Sequence, residues 1–230
     1  MARAFAKPLG ITLVGGGGTD AASLSRALSI APSLVGVDGG TDAALALGFT
    51  PELALGDFDS ISEAARATLG PDRLRHDPDQ ETTDFDKALA LTRAPLILGV
   101  GFTGGRLDHT LAAMSTLAQN PDRRVILDTG HDLVLLCPPH LVLDLAAGTR
   151  VSLYPLAPVR CGSRGLQWPT DPLSFDPLGR IGTSNAATGG PVTLTPSAPR
   201  MLLLLPPGTL APLSAALRAA PTWPAPARGQ

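Results

Sequence analysis

Residues 10–40, GITLVGGGGTDAASLSRALSIAPSLVGVDGG, decide the fold. GITLVGGGG (10–18) and SLVGVDGG (33–40) each carry a short apolar run that ends in glycine or Asp-Gly, the pattern of a buried strand. Between them, residues 19–31 carry apolar side chains at helical spacing. Strand, helix and strand in sequence predict a parallel pair joined by a crossover helix. The alternation then continues. ELALGDFDS (52–60), PLILGVGFTGG (95–105) and RRVILD (123–128) read as further strands, and residues 41–49, 60–70, 83–93 and 107–118 as helices. A parallel sheet covered on both faces follows, and in such sheets ligands collect beyond the carboxyl ends of the strands. Nearly every Gly and Asp cluster of the chain falls there.

From about residue 140 the pattern changes to short strand-like segments, LVLDLA, RVSLYPL, PVTLTP and RMLLLLP, separated by proline- and glycine-rich turns. These predict a second, antiparallel domain. The expected division is 1–138 for the α/β domain, 139–207 for the antiparallel one and 208–230 for a Pro/Ala-rich tail that starts as a helix and ends mobile.

Composition narrows the partners. A 230-residue chain with a formal net charge of -2 offers no field to gather nucleic acid and no basic run for a membrane surface. MARAFAKPLG lacks the apolar core of a signal peptide, and MLLLLPP is too short to span a bilayer, so a soluble, cytoplasmic protein is expected. Cys137 and Cys161 have no CxxC spacing and indicate neither a disulfide framework nor zinc. Lysine occurs only at Lys7 and Lys87, so any bound phosphate is expected to be held by arginine, backbone N–H groups or metal.

Five motifs carry chemistry. In LVGGGGTDAASL, Gly16, Gly18 and Ala21 fit a relaxed GxGxxG/A fingerprint, and Asp38 stands where a ribose-binding acid belongs; the competing reading is a tight turn or phosphate-contacting loop. No GxxxxGK[ST] occurs, which excludes a Walker site. In VDGGTDAAL, Asp38 ends a strand and Gly39 and Gly40 open a helix whose free N–H groups can meet a polar ligand edge, unless Asp38 merely caps. LGDFDS places Asp57 and Asp59 two positions apart, on one side of an extended segment with Phe58 facing the core. Magnesium suits such a pair, because it takes one or two carboxylates and fills its remaining positions with water and phosphate; Asp59 or Ser60 could alternatively cap the next helix.

DPDQETTDFDKALAL adds Asp84 in the first turn of a helix, with Thr83 and Asp86 resembling a capping box. GVGFTGGRLDHTLA supplies the anion-accessible backbone of Gly104 and Gly105, the forked donor Arg106, Asp108, and His109 as a minor candidate base.

Together, VDGG, GDFDS, DQETTDFDKAL and GGRLDH, followed by GLQWP (165–169) and TSNAA (183–187), resemble the ordered motif set of the thiamine pyrophosphokinases over roughly residues 10–205. The resemblance implies a Rossmann-like N-terminal domain, a β-sandwich C-terminal domain that binds thiamine and dimerises, and active sites in clefts between the subunits of a homodimer. It implies transfer of pyrophosphate from ATP to thiamine with magnesium, giving thiamine diphosphate and AMP. The metal-binding acids fall on Asp57, Asp59 and Asp84. Nucleotide and phosphate contacts fall on Asp38, Gly39, Gln80, Thr83, Gly104, Gly105, Arg106 and Asp108, and the thiamine contact on Ser184 beside Asn185. Asp84 or Asp108 would accept the hydroxyl proton.

Some relatives carry a tryptophan in the final strand, where this chain has MLLLLP. Either stacking on thiamine is lost or Trp168 or Trp223 supplies it; for Trp168 the alternative is a core aromatic beside a turn. Competing activities are pyrophosphoryl transfer to another hydroxymethyl heterocycle such as a pterin, a nicotinamide-dependent oxidoreductase, and a nucleotide-binding regulator without turnover.

Overall fold

A computed structural model describes residues 4–79 and 81–226. The chain forms two compact units. The first runs through Thr116 and takes in Leu127–Gly130, and the second holds Leu117–Ile126 and the chain from His131 onward.

Up to Asp128 the elements are β1 (Phe5–Ala6), β2 (Ile11–Val14), α1 (Ala21–Ile30), β3 (Ser33–Val37), α2 (Gly40–Ala46), β4 (Leu53–Gly56), α3 (Glu63–Leu69), β5 (Leu74–His76), α4 (Asp84–Leu91), β6 (Thr92–Arg93), β7 (Ile97–Val100), α5 (Leu107–Gln119) and β8 (Val125–Asp128). Strands β7, β2, β3, β4 and β5 pair in that order, all parallel. Strands β2, β3, β4 and β7 are buried at every position, which is why their sequences are continuously apolar rather than alternating. The chain steps outward from β2 through β3 and β4 to β5, then returns to lay β7 on the other side of β2. The carboxyl ends of β2 and β7 therefore flank the point where strand order reverses, the place such sheets reserve for ligands.

Helix starts follow the expected chemistry. Asp20 caps α1 through the Ser23 amide at 2.6 Å. Thr83 caps α4 through the Asp86 amide at 3.2 Å, and its hydroxyl donates to the Asp86 carboxylate at 2.6 Å. The cap of α3 is Ser62, not Asp59 or Ser60, and Ser62 is itself clasped by Asp42 of α2.

The second unit adds β9 (Leu133–Leu136), β10 (Leu141–Leu145), β11 (Arg150–Pro155), β12 (Val159–Arg164), β13 (Ser174–Phe175), β14 (Gly182–Ala186), β15 (Gly190–Pro196), β16 (Met201–Leu205) and α6 (Leu210–Ala219). They make two antiparallel groups, β10-β15-β12-β13 and β14-β11-β16-β9. Burial alternates along β10, as one covered and one wet face require. Cys137 and Cys161 are free thiols buried in this unit. After α6, the indole of Trp223 donates to the Cys137 carbonyl at 2.9 Å, so the expected mobile tail is tied down at least that far. Among the described residues, no helix is long and apolar enough to cross a membrane.

Candidate functional site

A cleft of about 770 Å³ opens at the reversal point of the parallel sheet. Gly15–Gly18 beyond β2 and Gly101, Gly104 and Gly105 beyond β7 form one wall. The two turns interlock: the Gly17 amide donates to the Gly101 carbonyl at 2.7 Å. A Cβ on Gly101, whose φ is +71°, would collide with the Gly15 carbonyl. Glycine there answers a packing demand, and it leaves backbone as the lining of the cleft.

Asp38 and Asp57, delivered by the ends of β3 and β4, and Thr83 and Asp84, at the start of α4, face the same cleft. Carboxylate oxygens of Asp38, Asp57 and Asp59 all lie within 4.8 Å of one another. The two LGDFDS acids do meet, but not through an extended segment. Strand β4 stops at Gly56, Phe58 sits in the left-handed region with φ +65°, and the Asp59 amide turns back onto Asp57 Oδ1 at 3.2 Å. Phe58 is half-buried against the cluster of Ala54, Ile61, Ala65 and Leu69.

Asp38 is only 4% exposed and, like Phe58, has a positive φ, +47°. It does not cap α2. Its Oδ2 accepts from the Ser60 hydroxyl at 2.7 Å, and that hydroxyl oxygen in turn accepts from the Gly39 amide at 3.0 Å. Asp38 Oδ1 is buried with no hydrogen-bond partner. Burial pushes the Asp38 carboxyl up to about 6, the Ser60 hydroxyl works against it, and Asp59 and Asp84 add to the rise.

Lys87 is not singled out by sequence reasoning, which points to arginine, backbone or metal for phosphate. It lies on α4, is 4% exposed, lines the cleft, and reaches Asp57 Oδ2 at 2.9 Å and Asp84 Oδ1 at 3.4 Å. Burial disfavours its ammonium form, but the Asp57 and Asp84 carboxylates outweigh that and hold it above the ordinary lysine range. Burial likewise raises the Asp84 carboxyl, with Lys87 opposing and Asp57 and Asp59 adding. The signal that could have found Lys87 is its rarity, one of two lysines in a chain otherwise using arginine.

One ammonium does not balance this many carboxylates. Two unit charges 4.8 Å apart repel by about 3.5 kcal/mol at an effective dielectric near 20. An oxygen-only donor set with a buried, unpartnered carboxylate oxygen fits a hard divalent cation such as magnesium. That set centres on Asp38 with Asp57 and Asp59, whereas Lys87 ties Asp84 to Asp57.

On the rim, Arg106 is held by Asp108 through two bonds of 3.1 and 2.5 Å, and Arg106 keeps the Asp108 carboxyl below its usual range. Arg106 and His109 line the cleft. Gln80 lies outside the described residues.

The remaining three sequence-predicted residues sit in the second unit. Trp168, 56% exposed, borders a hollow of about 250 Å³ together with Asn185, Phe175 and Arg180. It is therefore not a core aromatic. Asn185 is buried and spends its amide on the chain: Nδ2 donates to the Trp168 carbonyl at 2.7 Å, and Oδ1 accepts from the Trp168 and Ala186 amides. Ser184 is exposed, with φ +63°, and its amide donates to Ser152 Oγ at 3.0 Å.

Among known proteins, residues 24–127 match the family described as thiamin pyrophosphokinase, catalytic domain. Over that stretch, somewhat less than half of the chain, the sequence is similar to the thiamin pyrophosphokinase catalytic domain. It is 28% identical over 166 residues to thiamine pyrophosphokinase 1 of Arabidopsis thaliana, covering 64% of this chain and 62% of that relative. It is 40% identical over 89 residues to the thiamine pyrophosphokinase of Bacillus subtilis, covering 36% and 42%. In both cases the match spans less than two thirds of the curated relative's length. The solved thiamin pyrophosphokinase from Geobacillus thermodenitrificans superimposes with a TM-score of 0.71 at 25% identity, over 85% of this chain and 96% of that one. The family match takes in β3 to β8, hence Asp38, the LGDFDS acids, Asp84, Lys87 and Arg106 alike.

Proposed function

We propose that this chain is a magnesium-dependent thiamine pyrophosphokinase, moving the terminal pyrophosphoryl group of ATP onto the hydroxyl of thiamine and releasing AMP. The observation that carries this reading is the orphaned Asp38 Oδ1 grouped with Asp57 and Asp59 beside a glycine-lined cleft at the sheet's reversal point. The match of residues 24–127 to the thiamin pyrophosphokinase catalytic domain supports it.

In this reading Asp38, Asp57 and Asp59 hold magnesium, which when bound neutralises phosphate charge. Gly15–Gly18, Gly39 and the Gly104–Gly105 turn seat the triphosphate. Thr83, its side chain committed to the α4 cap, contributes from the cleft edge. Lys87 fixes Asp57 and Asp84 in place, and Arg106, oriented by Asp108, meets charge developing on the transferred group. Of the two carboxylates considered as proton acceptors, Asp84 is the better base, because burial raises its carboxyl whereas Arg106 lowers that of Asp108. Ser184 and Trp168 contact thiamine, with Asn185 acting indirectly by fixing the Trp168 backbone. Trp168, which borders a hollow beside Asn185, is the stacking residue of this reading, while the Trp223 indole N–H is given to the Cys137 carbonyl. The working form is a cytoplasmic homodimer of an N-terminal catalytic and a C-terminal acceptor-binding domain. Neither a nicotinamide nor a pterin gains support from the site: Asp38, the candidate ribose acid, is grouped with two carboxylates.

With Mg-ATP and thiamine, AMP and thiamine diphosphate are expected in equal amounts, and Asp57→Asn should lower kcat/KM by at least about 100-fold with the circular dichroism unchanged. AMP release indifferent to thiamine would sink the acceptor assignment, and equal turnover with a pterin alcohol would move it.

A further inference from the structure

The spacing of Asp57 and Asp59 is set by the residue between them. Phe58 holds a left-handed conformation that is unfavourable for a non-glycine residue and persists only when its surroundings over-determine it. Three contacts do so. The Phe58 carbonyl accepts from Arg66 Nη2, and the Arg66 guanidinium also lies over the Phe58 ring, 5.4 Å from its centroid. The ring of His76, at the end of β5, meets the Phe58 ring at 5.6 Å. Finally, Phe58 is packed on the apolar cluster formed by β4 and α3. Arg66 grips both the backbone and the side chain of Phe58, from the middle of a helix whose own start is pinned by Ser62 and Asp42.

We propose that Arg66 is a positioning residue for the acidic cluster: its two-point hold on Phe58 keeps the backbone left-handed, so that Asp57 and Asp59 converge with Asp38 on one cation. Arg66 is absent from the cleft lining. The inference rests on the metal reading proposed above. It also explains why a phenylalanine rather than a glycine occupies a left-handed position: glycine would adopt it freely but give the guanidinium no ring to lie on.

The experiment is manganese binding to the full chain without nucleotide, followed by electron paramagnetic resonance of free Mn²⁺, beside thermal unfolding. Arg66→Ala is expected to weaken Mn²⁺ binding about 10- to 100-fold, the range for partners that orient metal ligands. Arg66→Lys, which keeps charge but loses the fork and the flat stacking face, should fall between. Arg73→Ala, which removes bonds to the Leu69 and Thr68 carbonyls at the other end of the same helix, should lower the melting temperature while leaving Mn²⁺ affinity intact. If Arg66→Ala fails to fold, Arg66→Lys carries the same comparison. Wild-type affinity in a folded Arg66 variant would overturn the positioning role while leaving the metal site standing. An absence of Mn²⁺ binding in the wild-type chain would instead overturn the metal reading, and this inference with it.

Discussion

Lys87 places a largely buried ammonium against Asp57 and Asp84, whose carboxylates favour its charged form. Removing it, as in Lys87→Met, takes away the ammonium that the half-buried Asp57 shares with Asp84. Unfolding in urea with a chelator present should show a loss of about 3 kcal/mol, the low end for a broken buried pair because Asp84 is partly wet. Millimolar magnesium should recover a good part of that loss, since a cation bound only by the folded chain stabilises it by mass action. The same loss with and without magnesium would show that Lys87 and the cation do not share the carboxylates. Side-chain chemistry at this scale was legible where it depended on residue type: acids, glycines and an arginine at strand ends. It was not legible where it depended on a single backbone angle. Asp38 and Phe58 both have positive φ, and an extended LGDFDS gives the right neighbours for the wrong geometric reason.

At the scale of elements, the interlocked turns after β2 and β7 make the cleft wall from backbone alone. Gly101→Ala must either abandon its φ of +71° or push into the Gly15 carbonyl, with a cost of about 2–4 kcal/mol in chemical denaturation. Because the same shift displaces Gly17, whose amide bonds to Gly101, nucleotide affinity should fall alongside. An unaltered denaturation midpoint would show that the turns are free to separate. The parallel strands were readable because burial on both faces makes them continuously apolar. Strands β12, β13 and β14 were not: VRCGSR, SF and GTSNA are short, polar and glycine-bearing, and they owe their conformation to neighbouring strands rather than to their own pattern. Helix α3 was foreseen, but its cap was displaced by two residues because Ser60 is taken by Asp38.

For the molecule as a whole, the proposed homodimer predicts a sedimenting species of twice the 23.6 kDa chain mass at micromolar concentration, and a chain-mass species there would refute it. The change from apolar runs to short antiparallel strands near residue 140 was legible in the sequence. The exchange of chain through α5 and β8 was not, because nothing local marks where one helix passes from one unit to the other. Both cysteines lie in the second unit, essentially inaccessible, and burial pushes the Cys161 thiol up to about 12 and the Cys137 thiol well above its ordinary value. Nucleophilic thiolate therefore exists only when that unit opens. An aromatic disulfide reagent added to the native protein should be consumed at the rate of that opening, whereas rapid uptake by both sulfurs would contradict their burial. The first unit, which contains no sulfhydryl, stays silent in the same reaction, so the chain carries a clock for the unfolding of one half of itself.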